Sequence, residues 1–128
     1  MDTSERLRAH PESRFAAPQH LFDLAAEAER LKRESPAGEE GHRQETLYKH
    51  GGTTAALFVF ERLTHLPPHR TRGVVLIQVL RGHVGVTAGT DAHDLHIGNF
   101  LALAPGVEHQ VVAYEKSEML LTVHLDSS

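Results

Sequence analysis

The chain has 128 residues, 40% of them hydrophobic and 23% charged, with a formal net charge of −4. This size suits one domain with its own core, and the balance of charge gives no reason to expect nucleic acid or an anionic membrane as partner. There is no cysteine, which excludes disulfides, thiolate metal sites and cysteine nucleophiles. The opening Met1-Asp2-Thr3-Ser4-Glu5-Arg6 lacks an apolar leader core, and no apolar run is long enough to span a membrane. A cytoplasmic protein is expected. Eleven histidines stand out, and a functional reading has to account for them.

Residues 1–18 carry mixed charge, two prolines and little periodicity, the pattern of a loosely attached arm. From Gln19 to Glu34 the texture turns helical, with Leu21, Leu24, Ala25, Ala28 and Leu31 on one stripe. Asp23 and Glu27 lie early and Lys32 and Arg33 late, as the helix dipole favours, and Ser35-Pro36-Ala37-Gly38 ends the pattern. The stripe is expected to pack outside the domain or on a partner subunit. After Gly41 the pattern is that of strands: 42–49, a His50-Gly51-Gly52 turn, then 54–63. Thr64 to Arg72 holds two histidines around a Pro67-Pro68 corner, and the run 73–81 reads as a strand buried on both faces. Further strands are expected at 82–88, 94–97, 99–104 (buried), 107–113 and 117–125. Seven or eight short strands parted by Gly, Pro and Asp turns make an all-β sandwich or barrel. The division expected is an arm and helix over 1–40 and a β-barrel over 41–128.

Gly98, Gly106 and His109 stand eight and eleven residues after the first glycine, with Pro105 between them. Pro67-Pro68-His69 and Val79-Leu80-Arg81-Gly82 look like the two ends of a companion motif, and fifteen residues separate Gly82 from Gly98. In these features residues 55–125 resemble the cupin superfamily, whose motifs read G-x5-H-x-H-x3,4-E-x6-G and G-x5-P-x-G-x2-H-x3-N. The resemblance implies a jelly-roll barrel of two antiparallel sheets with one N-terminal helix beside it. It also implies a metal site inside, normally of three histidines and one glutamate. Here the proline comes one place late, Ala113 replaces the final Asn, Thr71 stands at the second His and Val75 at the Glu. His69 and His109 remain as the metal-ligating pair for Fe, Mn, Ni or Zn, ions that take three or more protein donors in a tight site.

Other residues are candidates for lining the pocket. His65 lies four residues before His69, and Gln78 is the polar residue of an apolar strand, on the face opposite Val75 by alternation. Arg70, with Arg72, flanks the corner and reads either as a solvated basic face or as an anion clamp at the barrel mouth. His83, His93, His96 and His124 sit on different strands without metal spacing and read as surface histidines. Tyr48, Phe58 and Phe60 read as packing. The function expected is that of a small cupin binding a small molecule inside the barrel, through a weak or incomplete metal site. The alternative is a metal-dependent enzyme of dioxygenase, isomerase or hydrolase type. A homodimer is expected, because residues 42–60 offer apolar strand surface that one barrel does not consume.

Overall fold

The computed structural model describes residues 14–34 and 41–126. Among the described residues, the helix α1 (Leu24–Glu34) precedes nine strands. These are β1 (His42–His50), β2 (Thr53–Phe60), β3 (His65–His69), β4 (Val74–Arg81), β5 (His83–Ala88), β6 (Asp91–His96), β7 (Phe100–Leu103), β8 (His109–Ala113) and β9 (Ser117–His124). They form a five-stranded sheet in the order β1-β2-β9-β4-β7 and a four-stranded sheet in the order β3-β8-β5-β6. All pairings are antiparallel. The sheets face each other as an open jelly roll, and no strand pairing among the described residues joins one sheet to the other.

Period-2 alternation decides what lies between the sheets. In β4, Val75, Ile77 and Val79 are buried to 2%, 0% and 1% exposure, while Leu76, Gln78 and Leu80 between them are half-buried. They meet Val84, Val86, Val111 and Ala113 of the opposite sheet in one core, with Phe58, Phe60 and Met119. The expectation that β4 is buried equally on both faces is therefore corrected. Its outer face is only partly covered, because α1 lies mainly over β1 and β2, where Ala28 and Leu31 pack on Leu47, Leu57 and Val59. Strand β7 is likewise not a buried strand. It forms a sheet edge, and its Phe100 is 60% exposed.

The helix begins at Leu24, later than the periodicity suggests. Asp23 caps it by accepting a hydrogen bond from the Ala26 N–H at 3.1 Å. Leu21 thus falls off the stripe and is 99% exposed. The stop at residues 35–38 and most of the expected arm lie outside the described residues. Of the rest of the arm, Phe15 is buried and packs edge-on against Tyr48 at 5.6 Å. A ninth strand, β3, appears where the sequence reads as a corner. Two prolines are tolerated there because β3 is an edge strand with a register shift between Leu66 and His69.

Charge fastens the helix as well as apolar contact. Arg30 bridges Glu27 and Glu34 of its own helix and Glu45 of β1. Lys32 Nζ lies 2.8 Å from the Glu118 carboxylate of β9 and 3.1 Å from that of Glu29. Glu118 is only 5% exposed, and Lys32 is the cation that meets its carboxylate. Replacing Lys32 by Met keeps the aliphatic stem and strands the carboxylate. Stability at pH 7 should fall by about 2 kcal/mol, an amount discounted for the exposure of Lys32. Adding Glu118→Gln should recover most of the loss.

The pH dependence has a definite sign. Hydrogen bonding to Glu118 raises the Lys32 pKa above its ordinary 10.5. A raised folded-state value means the contribution is complete below pH 10.5 and drains away as pH climbs through the raised value. Urea unfolding across the alkaline range should show that decline in the wild type and lack it in Lys32→Met.

Candidate functional site

The two histidines of the incomplete motif come together. His69 ends β3, His109 begins β8, and they are register partners across the two strands. Their ring centroids are 4.3 Å apart and the rings are inclined at 59°. His109 is 1% exposed, whereas His69 opens to solvent. The pair therefore runs from the interior outward.

The hydrogen bonds fix the proton positions. His109 Nδ1 lies 3.1 Å from the Val107 carbonyl oxygen, and His69 Nδ1 lies 3.4 Å from that of Pro67. A carbonyl can only accept, so in each neutral ring Nδ1 carries the hydrogen and Nε2 the lone pair. The second contact is long and weak. His109 Nε2 is buried and meets no hydrogen-bond partner among the described residues. An orphaned acceptor in an apolar surrounding is costly and calls for a donor from beyond the described residues. The surrounding is indeed apolar: Ala88 pairs with His109 across β5, and Leu66, Val107, Val111 and Val75 belong to the adjoining core.

The remaining candidates are dispersed. Val75 occupies the glutamate position with an aliphatic side chain at 2% exposure. Thr71 has its hydroxyl engaged, accepting the Gly73 N–H at 3.0 Å. Arg70 lies 3.6 Å from Glu108, both exposed, so the anion clamp already contains a carboxylate. His65 pairs with Val112 on the outer side of the four-stranded sheet, where it lines a shallow cavity of about 210 Å³ with Gly85, Thr87 and Gln110. Gln78 points away from the interior, in the row of Phe100 and Leu120. Neither reaches the histidine pair.

Two further arrangements lie outside those candidates. His83 and His96 are cross-strand partners whose rings stack at 4.2 Å, with His83 Nε2 3.2 Å from Asp94. On the edge strand β1, His42 Nε2 meets Gln44 Oε1 at 3.1 Å in an exposed contact, with the His42 ring beside those of Phe58 and Phe60. The His83–His96 pair depends on cross-strand register, which neither segment announces, whereas His42 and Gln44 share a face of β1 by simple alternation.

No group of three or more His, Cys, Asp or Glu side chains among the described residues is arranged to hold a metal ion. The donor set is two imidazoles, and it does not fit a resident centre built from four protein donors.

No family model and no curated protein matches the chain. Solved structures do. A cupin superfamily protein from Desulfitobacterium hafniense superposes with a TM-score of 0.69 at 17% identity, over 88% of this chain and 95% of that one. An RmlC-like cupin from Shewanella frigidimarina gives 0.66 at 18%, over 71% and 82%. Salicylate 1,2-dioxygenase from Pseudoaminobacter salicylatoxidans gives 0.63 at 16%, over 79% of this chain but only 32% of the enzyme. The fold is that of the cupins. Among the described residues no helix is long and apolar enough to cross a membrane.

Proposed function

We propose that this cupin binds a compact, largely apolar small molecule at the His69–His109 end of the barrel. The ligand would carry a hydroxyl or other N–H or O–H donor to His109 Nε2. One observation carries the reading: that nitrogen is buried and unpartnered among the described residues, while Nδ1 is fixed as a donor to Val107. His69 stands at the opening as a second acceptor, and the aliphatic wall contributes affinity by burial without selecting a reaction. A second reading, weak divalent-metal binding leading to enzyme chemistry, has one observation in its favour. Both rings are turned by backbone carbonyls in the way that orients ligating histidines.

Nitrogen-15 spectra of the histidine side chains separate the two. Catechol and salicylate serve as hydroxylic probes and Mn²⁺, Ni²⁺ and Zn²⁺ as metal probes. The proposal expects the organic probes to shift His109 Nε2 first, with metals acting only at millimolar concentration. Tight binding of a metal, with no response to either organic probe, would replace it by the second reading.

We also read the chain as a homodimer, on different ground from the sequence argument. The apolar surface of 42–60 is consumed by α1, since Leu47, Leu57 and Val59 are buried. The β7 edge offers apolar surface instead, with Ile97 and Phe100 67% and 60% exposed. Light scattering that finds only a 14.2 kDa species at micromolar concentration removes this reading.

A further inference from the structure

At the far end of β4 from Val75, about 20 Å away by strand rise, lies a cavity of about 340 Å³. Its lining includes Lys32 of α1, Arg43 of β1, Arg81 at the end of β4, Lys116 of the β8–β9 turn, and the carboxylates Glu61 and Glu118. Each carboxylate is engaged by one cation: Lys32 with Glu118 at 2.8 Å and Arg43 with Glu61 at 3.0 Å. Arg81 and Lys116 make no close ion pair among the described residues, although Arg81 is near enough to Glu29 of α1 to help Lys32 hold its carboxyl below the usual range. With Glu29, which pairs with Lys32 at 3.1 Å, four cations stand against three carboxylates around this cavity, in a chain whose net charge is −4.

We propose that this cavity is a second binding site, for the dianionic phosphate group of a small phosphorylated molecule, held by Arg81 and Lys116. Three features support it. The paired cations Lys32 and Arg43 are held in place by their carboxylates, so they add field without needing to be ordered by the ligand. Arg81 stands opposite Glu118 in the β4–β9 register, which sets its backbone at the cavity wall; its planar fork suits a tetrahedral oxyanion, and Lys116 supplies a point charge from the turn. The Ser117 hydroxyl is already committed, accepting the His83 N–H at 3.1 Å and donating to the Glu115 carbonyl at 2.8 Å. It fixes the turn and leaves recognition to the charged groups. The site is separate from the histidine pair and does not depend on the ligand proposed there.

The test is calorimetric titration of the full chain at low salt with inorganic phosphate and with glycerol phosphate, against chloride at matched ionic strength. The wild type should bind both phosphates and not chloride, with glycerol phosphate the tighter. Arg81→Gln with Lys116→Gln should weaken both by about tenfold or more, the loss of at least one charge-assisted contact. Unchanged melting of that variant shows it is folded, and Lys116→Ala alone provides a milder second measurement. Equal binding by wild type and variants, or wild-type binding no stronger than chloride, overturns the proposal.

Discussion

Gly82→Ala is expected to lose about 3–5 kcal/mol of stability, enough to unfold much of the population of a domain this size. Gly82 joins the last residue of one sheet to the first of the other, at φ +89°. A methyl group there would come within 2.3 Å of Ser117 Oγ, 2.5 Å of the Lys116 carbonyl oxygen and 2.8 Å of Ser117 Cα. Two of those atoms are backbone, and Ser117 is itself buried and hydrogen-bonded at both ends of its hydroxyl. The neighbours cannot swing aside without shifting the β8–β9 turn. Gly89 provides the internal control, with φ +62° and nothing within 4 Å of an added Cβ. Gly89→Ala should cost only the conformational part, about 1 kcal/mol. Urea unfolding of the two variants reads both, and equal losses would show that conformation alone, not close approach, explains Gly82.

That glycine is also where the sequence was most informative. The spacing of Gly82, Gly98, Gly106 and His109 carries the resemblance to the cupins, and that resemblance implies the two-sheet fold. His69 and His109 follow, because both stand in the motifs that carry it. What the sequence hides is register and extra residues. His65 and His69 are four apart and should share a face by alternation. The bulge takes three steps along β3, Leu66 to His69, against two along β8, Val111 to His109, and so turns His65 outward. The His83–His96 stack depends on a cross-strand pairing that neither strand encodes alone. Phe100 and Leu21 look like core residues by composition, and both are exposed because one lies on an edge strand and the other precedes a capping aspartate.

Position matters to function here because the two ends of β4 have unlike surroundings. The Val75 end carries imidazoles in an aliphatic setting; the Arg81 end carries paired and unpaired charge around a cavity. A ligand at one end therefore meets acceptors and apolar wall, and a ligand at the other meets cations. The fold itself favours neither chemistry.

His109→Leu is expected to abolish the response to catechol, salicylate and divalent metals while leaving the protein as stable as the wild type or about 1 kcal/mol more stable. The opposing terms are close. The substitution gives up the hydrogen bond to Val107, worth about 1 kcal/mol net, and leaves that carbonyl short of a donor. It also removes a buried Nε2 with no partner among the described residues, a group that costs about 1–3 kcal/mol when left unpaired. The leucine is close in volume and joins Val111 and Ala88 in an aliphatic wall, adding to the burial already there. His109→Ala should behave differently, losing about 2 kcal/mol to the cavity it opens while failing to bind in the same way. A buried histidine retained for packing would make the leucine variant clearly less stable than the wild type. A histidine retained for a ligand gives a variant that folds as well or better and binds nothing. Thermal unfolding of the two variants, with and without 10-fold excess catechol over its wild-type Kd (a rise of about 1.4 kcal/mol by mass action in the wild type alone), decides which it is.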